Sequence, residues 1–107
     1  MLDYFKKFKK SIDFMDGRDR LDLSTLCTGE AFHIDEFAFL SGENGDYAVF
    51  IVKEVKDHFL FGNSVVTDVL KQIETDGMEA ELKEVGVVFE KVTSKKNRDY
   101  IAMRFVD

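Results

Sequence analysis

From Ala31 onward the chain is a succession of apolar runs separated by polar breaks. They are 31-AFHIDEFAFL-40, 47-YAVFIV-52, 58-HFLF-61, 64-SVVTDVLKQIET-75, 85-VGVVFEKV-92 and 99-DYIAMRFV-106. Side chains of a strand point alternately to two faces, so period two marks a half-buried strand and a wholly apolar run marks one covered on both sides. In 47–52, Tyr47, Val49 and Ile51 share one face and Ala48, Phe50 and Val52 the other. In 31–40 the expected core set is Phe32, Ile34, Ala38 and Leu40. Phe37 and Phe39 fall on the opposite face unless a bulge switches the register. Asn44-Gly45 is a hairpin signal joining these two runs. The run 58–61 is short, with Phe59 and Phe61 facing one way and His58 and Leu60 the other.

The period changes after Gly62. Val65, Val66, Val69, Leu70 and Ile73 recur at helical spacing, opposite Asp68, Lys71, Gln72 and Glu74. Ser64 is the expected N-cap and Asp76-Gly77 the stop. Period two returns in the last two runs, where Ile101, Met103 and Phe105 form an apolar face and Tyr100, Ala102 and Arg104 point away from it. The fold class is therefore mainly β with one helix between strands 3 and 4. That order is the order of an OB-fold, a small, partly open barrel that often binds oligonucleotides. The expected domain, a five-stranded OB-fold-like barrel, spans 21–107.

Residues 1–20 differ in character. Leu2, Phe5, Phe8 and Ile12 recur at helical spacing among Lys6, Lys7, Lys9 and Lys10. A short N-terminal helix is expected. It could pack on the barrel or on a partner subunit, serve as a basic arm for nucleic acid, or lie on a membrane surface.

Length and composition indicate one globular domain with a single core: 107 residues, 45% hydrophobic, with Phe 11, Tyr 3 and Trp 0. The net charge of -6 opposes nucleic acid, but it is unevenly spread. Residues 1–20 are net +2 and residues 91–104 net +4, which leaves -12 on the rest of the chain. Cys27 is the single cysteine, so no disulfide framework exists and a reducing cytoplasm is the expected setting. No apolar run approaches the ~20 residues of a membrane span, and no signal-peptide core is evident.

The chemistry of an enzyme is missing from the pattern. His33 and His58 are isolated, and Cys27 has no Cys-x-x-Cys partner for zinc. Asp13, Asp16, Asp19 and Asp22 recur every three residues but lack the spacing and glycine of a calcium loop. Phosphate-loop and nucleophile-elbow motifs are not found. The expectation is a non-enzyme with no cofactor and no metal.

The block "GENGDYAVFIVKE…HFLFGNSVVTDVLKQI…VVFEKVTSKKNRDYIAMRF", covering roughly residues 30–106, resembles small proteins of phages and mobile elements of Gram-positive bacteria. Some of these are OB-fold single-stranded-DNA-binding proteins. The resemblance implies non-sequence-specific binding of single-stranded DNA, with RNA as the other nucleic acid to consider, in replication or recombination. Single strands are held by aromatic platforms beside a basic groove. The candidate platforms are Tyr47, Phe50, Phe59, Phe61 and Tyr100, and about half of these rings are expected to be buried. The candidate phosphate contacts are Lys53, Lys91, Lys95, Lys96, Arg98 and Arg104, concentrated in the loop 93-TSKKNRD-99. A homo-oligomer is a further candidate state, and no membrane partner is expected. The alternative reading is an OB-like protein–protein interaction module, a regulator or complex subunit, that binds no nucleic acid.

Overall fold

The computed structural model describes Met15, residues 17–43 and residues 45–106. The helix expected near the N-terminus falls on residues outside these. Every strand-like run forms a strand: β2 (Ile34–Gly42), β3 (Gly45–Val52), β4 (His58–Phe61), β5 (Gly86–Thr93) and β6 (Asp99–Val106). The helix α1 (Ser64–Thr75) lies between β4 and β5, followed by one short helical turn, α2 (Glu79–Leu82). A further strand, β1 (Asp19–Arg20), pairs in parallel with β4. Sheet pairing thus begins within the stretch whose composition marks it as a separate N-terminal segment.

The five-stranded barrel does not close. The strands form a four-stranded sheet in the order β1-β4-β3-β2 and a two-stranded sheet, β5-β6. One seam is a single antiparallel bridge, in which Phe32 and Val87 exchange backbone hydrogen bonds of 2.8 and 2.7 Å. At the other seam a side chain stands where strand pairing would close a barrel. β4 ends at Phe61, and Asn63 donates from Nδ2 to the Ile101 carbonyl of β6 at 2.7 Å. The same Asn63 accepts from the Val66 amide through Oδ1 at 2.9 Å. Asn63, rather than Ser64, is therefore the N-cap of α1. A cap residue contributes its side chain from extended backbone, and Asn63 has φ -80 and ψ -174. α1 ends as expected, with Gly77 taking the left-handed conformation at φ 69.

The helix is pinned to β3 by a contact that periodicity does not reveal. Thr67 is buried, and its hydroxyl accepts from the Ala48 amide at 2.9 Å. Gly62 permits the approach, since a Cβ there would meet Val66 Cγ1 at 3.0 Å and Ala48 Cβ at 3.3 Å. Val66 and Leu70 then join Ala48, Phe50, Val52, Leu60, Ile34, Val87 and Phe89 in one core. At its centre Phe50 and Phe89 stack with ring centroids 5.9 Å apart. These two strands belong to different sheets, so the ring pair ties the layers together.

The face assignment in β2 is corrected by a bulge. The register shifts between Ile34 and Glu36, and beyond it Phe37 pairs with Phe50 and Phe39 with Ala48. Directly opposed residues share a face. Phe37 and Phe39 therefore pack against the main core, while Ala38 and Leu40 move to the outer face. Asp35 is the extra residue that absorbs the change.

Candidate nucleic-acid interface

The outer face of the four-stranded sheet carries a cluster of rings. Phe61 pairs with Val49 and points outward with it, and Phe59 lies two residues earlier on the same face. Tyr47 approaches Phe61 edge to face at 5.5 Å, and Phe59 approaches it likewise at 5.4 Å. All three rings are half-buried. The short β1 brings Arg20 beside them, with its guanidinium carbon 4.9 Å from the Phe61 ring centroid. A guanidinium over a ring is attracted by the ring's negative face and keeps its charge available to an anion. Sequence alone does not single out Arg20, because a two-residue strand leaves no periodic signal.

The other expected platforms are separate from this cluster. Phe50 is 0% exposed and stacked on Phe89, so it is a core residue and offers no face to a base. Tyr100 is 40% exposed on β6, opposite Val92. It immediately precedes Ile101, whose carbonyl Asn63 holds, so Tyr100 and the Tyr47–Phe61 pair lie toward the same end of the fold.

The basic loop also emerges at that end. Ser94 organises it: the hydroxyl accepts from the Lys96 and Arg98 amides at 3.3 and 3.2 Å, and the Asn97 amide bonds to the Ser94 carbonyl at 3.0 Å. Asn97 takes a left-handed conformation with φ 60, which asparagine tolerates better than most residues. Thr93 Oγ1 donates to Asp99 across the base of the loop at 2.7 Å. Backbone needs are thus met internally, and Lys95, Lys96 and Arg98 project as exposed cations. The remaining candidates are differently placed. Arg104 is held by Glu90 at 2.9 Å. Lys53 donates to the Lys83 carbonyl at 3.2 Å. Lys91 lies near Cys27, where burial pushes the thiol pKa up and the Lys91 charge lowers it in part.

The two histidines have local roles. His33 contacts Glu54 through Nδ1 at 2.6 Å, and its backbone amide donates to the second carboxylate oxygen at 2.8 Å. Burial pushes the Glu54 pKa up, but the hydrogen bonds from His33 outweigh it and hold the carboxyl below its ordinary value. A depressed folded-state pKa adds stability above the unfolded pKa, and that stability is lost as pH falls through the folded value. Replacing Glu54 by Gln should therefore lower the melting temperature at neutral pH. The gap to wild type should shrink once the pH falls below the ordinary carboxylate range near ~4.3. Melting curves across an acid pH series check this, and a gap that stays constant with pH would contradict it. His58 is half-buried, with Nδ1 shielded from solvent and no hydrogen-bond partner among the described residues.

Among the described residues, no three His, Cys, Asp or Glu side chains converge to hold a metal. Likewise, no helix among them is long and apolar enough to cross a membrane. No family model, curated protein or solved structure matches the chain.

Proposed function

We propose that the protein binds single-stranded nucleic acid, DNA in the first instance, without sequence specificity, on the outer face of β3 and β4. The observation that carries this reading is the ring cluster of Tyr47, Phe59 and Phe61 with Arg20 over it, at the end of the fold from which Lys95, Lys96 and Arg98 project. Rings accept bases of any identity through their π-faces, and the cations take the phosphates. The element order and the Phe32–Val87 bridge support an opened OB-like arrangement, in which the strands corresponding to β3 and β4 form the usual oligonucleotide face. The resemblance to single-strand-binding proteins of phages and mobile elements points the same way, toward a role in replication or recombination.

The test is anisotropy of labelled poly-dT titrated with protein over a salt series. Binding that weakens linearly with log salt is expected. Replacing Lys95, Lys96 and Arg98 together by Ala should lower the log–log slope by about 0.7 for each phosphate no longer neutralised. Melting temperature should hardly move, since exposed charges contribute little to stability. A slope unchanged in the triple variant would remove the loop from the interface.

A second reading, a protein-docking module without nucleic-acid binding, is favoured by a different observation. Met78 and Phe105 are 47% and 42% exposed and line an apolar groove with Ile73, Leu82 and Val85. Phe105 lies at the opposite end of β6 from Tyr100. Poly-dT binding that is absent at low salt would favour this reading.

A further inference from the structure

The two ends of the β5–β6 hairpin carry opposite charge, and each carries exposed apolar surface. Among the described residues, the large apolar side chains left exposed are Met78, Phe105 and Tyr100. Met78 and Phe105 line the apolar groove where the end of α1, α2 and the last residues of β6 meet. The groove is open to solvent and has a volume of about 210 Å³. An apolar cavity of about 150 Å³ already holds a benzene ring, so one aromatic side chain fits. The segment supplying most of the wall is acidic. Residues 74–85 carry Glu74, Asp76, Glu79, Glu81 and Glu84 against Lys83, net -4. Among the described residues the ion pairs use Asp46, Glu54 and Glu90, so these five carboxylates are in none of them.

The loop end is the converse. Lys95, Lys96 and Arg98 are exposed and in no ion pair among the described residues, and Tyr100 stands beside them. Tyr100 and Phe105 are ~17 Å apart along β6. The loop therefore cannot reach the groove of its own chain.

We propose that the groove receives the 93–99 loop and Tyr100 of a second copy of this chain, head to tail. Tyrosine suits the site, since an apolar ring with a polar tip matches carbon walls under a carboxylate rim. The loop cations then face the acidic segment of the neighbour. Charge decides between this and the two-fold alternative. Groove against groove would also cover Met78 and Phe105, but it would set two net -4 segments against each other. A head-to-tail contact leaves one loop and one groove free on the pair, so assembly continues with concentration instead of stopping at two copies. One loop in one groove is smaller than a standard interface, so the association is weak and salt-sensitive. It needs no nucleic acid, and it uses the loop when no strand occupies it.

The experiment is sedimentation equilibrium of the full chain, reduced and free of nucleic acid, from ~10 μM to ~1 mM at low and high salt. The mean mass should rise with concentration above the 12.3 kDa of one chain, and less at high salt. Two charge-reversed proteins locate the contact: Glu81→Lys with Glu84→Lys, and Lys95→Glu with Lys96→Glu. Each alone should associate at least ten-fold more weakly. Their equimolar mixture should associate again, because each reversed surface meets an opposite one on the other protein. Tyr100→Ser, which leaves the charge unchanged, should weaken wild-type association about ten-fold. A monomer mass at every concentration overturns the proposal. So does a mixture as monomeric as its components, or association that Tyr100→Ser leaves unchanged. Association that strengthens with salt marks groove-on-groove pairing and overturns it as well. Should a charge-reversed protein not fold, the Tyr100→Ser result decides.

Discussion

Replacing Phe50 by Ala should cost about 3–5 kcal/mol of stability, the range for deleting a buried phenyl ring. Phe50 is fully buried and stacks on Phe89, so its loss opens a cavity where the two sheets meet. Among the described residues, little hydrogen bonding joins those sheets: the Phe32–Val87 bridge on one side and the Asn63–Ile101 contact on the other. Side-chain packing must supply most of their cohesion, which places Phe50 and Phe89 among the costliest positions to truncate. A domain of this size is stable by only about 5–15 kcal/mol, so Phe50→Ala could unfold a large fraction of the protein. Phe50→Leu, which keeps most of the volume, should lose less than about 1.5 kcal/mol and remain measurable. Urea unfolding of both variants checks the expectation. A loss below about 1 kcal/mol for Phe50→Ala would mean the ring is not the hinge of the core.

Replacing Phe61 by Leu should lower single-strand affinity by about 1–3 kcal/mol while leaving the fold largely intact. Leucine retains apolar bulk against Val49 but has no π-face for a base or for the Arg20 guanidinium. Tyr47→Ala should lower affinity by a similar amount. The two rings touch at 5.5 Å, so the double variant should lose less than the sum of the single losses. Phe50→Leu supplies the contrast, because a buried ring cannot stack on a base and its replacement should leave affinity unchanged. Anisotropy with poly-dT, beside unfolding midpoints, separates the two effects. Equal affinity for wild type and Phe61→Leu would move the interface away from the outer sheet face.

Tyr47, Phe59 and Phe61 are legible as a candidate site because they are rings in strand-like runs delimited by polar breaks, with Phe59 and Phe61 two residues apart on one face. Phe50 resembles a platform in the sequence for the same reason, and the structure corrects this. Period two divides a strand into two faces but does not say which one meets another layer. In a run as apolar as 47-YAVFIV-52 both faces are plausible interiors. Arg20 is not legible at all, because its position depends on parallel pairing with Phe59, thirty-nine residues further along the chain.

What the sequence determined by itself is local. Strand and helix periods, the Asp76-Gly77 stop and the polar tip of the last hairpin each depend on residues a few positions apart, and each forms as its pattern requires. What tertiary structure decided depends on contacts between distant residues. The Asp35 bulge turned Phe37 and Phe39 inward because β3 offered them Phe50 and Ala48 as partners. The sheets stayed apart because Asn63, after capping α1, took the Ile101 carbonyl that a neighbouring strand would otherwise claim. Thr67 became a buried acceptor only because Ala48 brought its amide there. A periodic pattern records which residues avoid water, whereas strand pairing, register and closure follow from which of them reach one another.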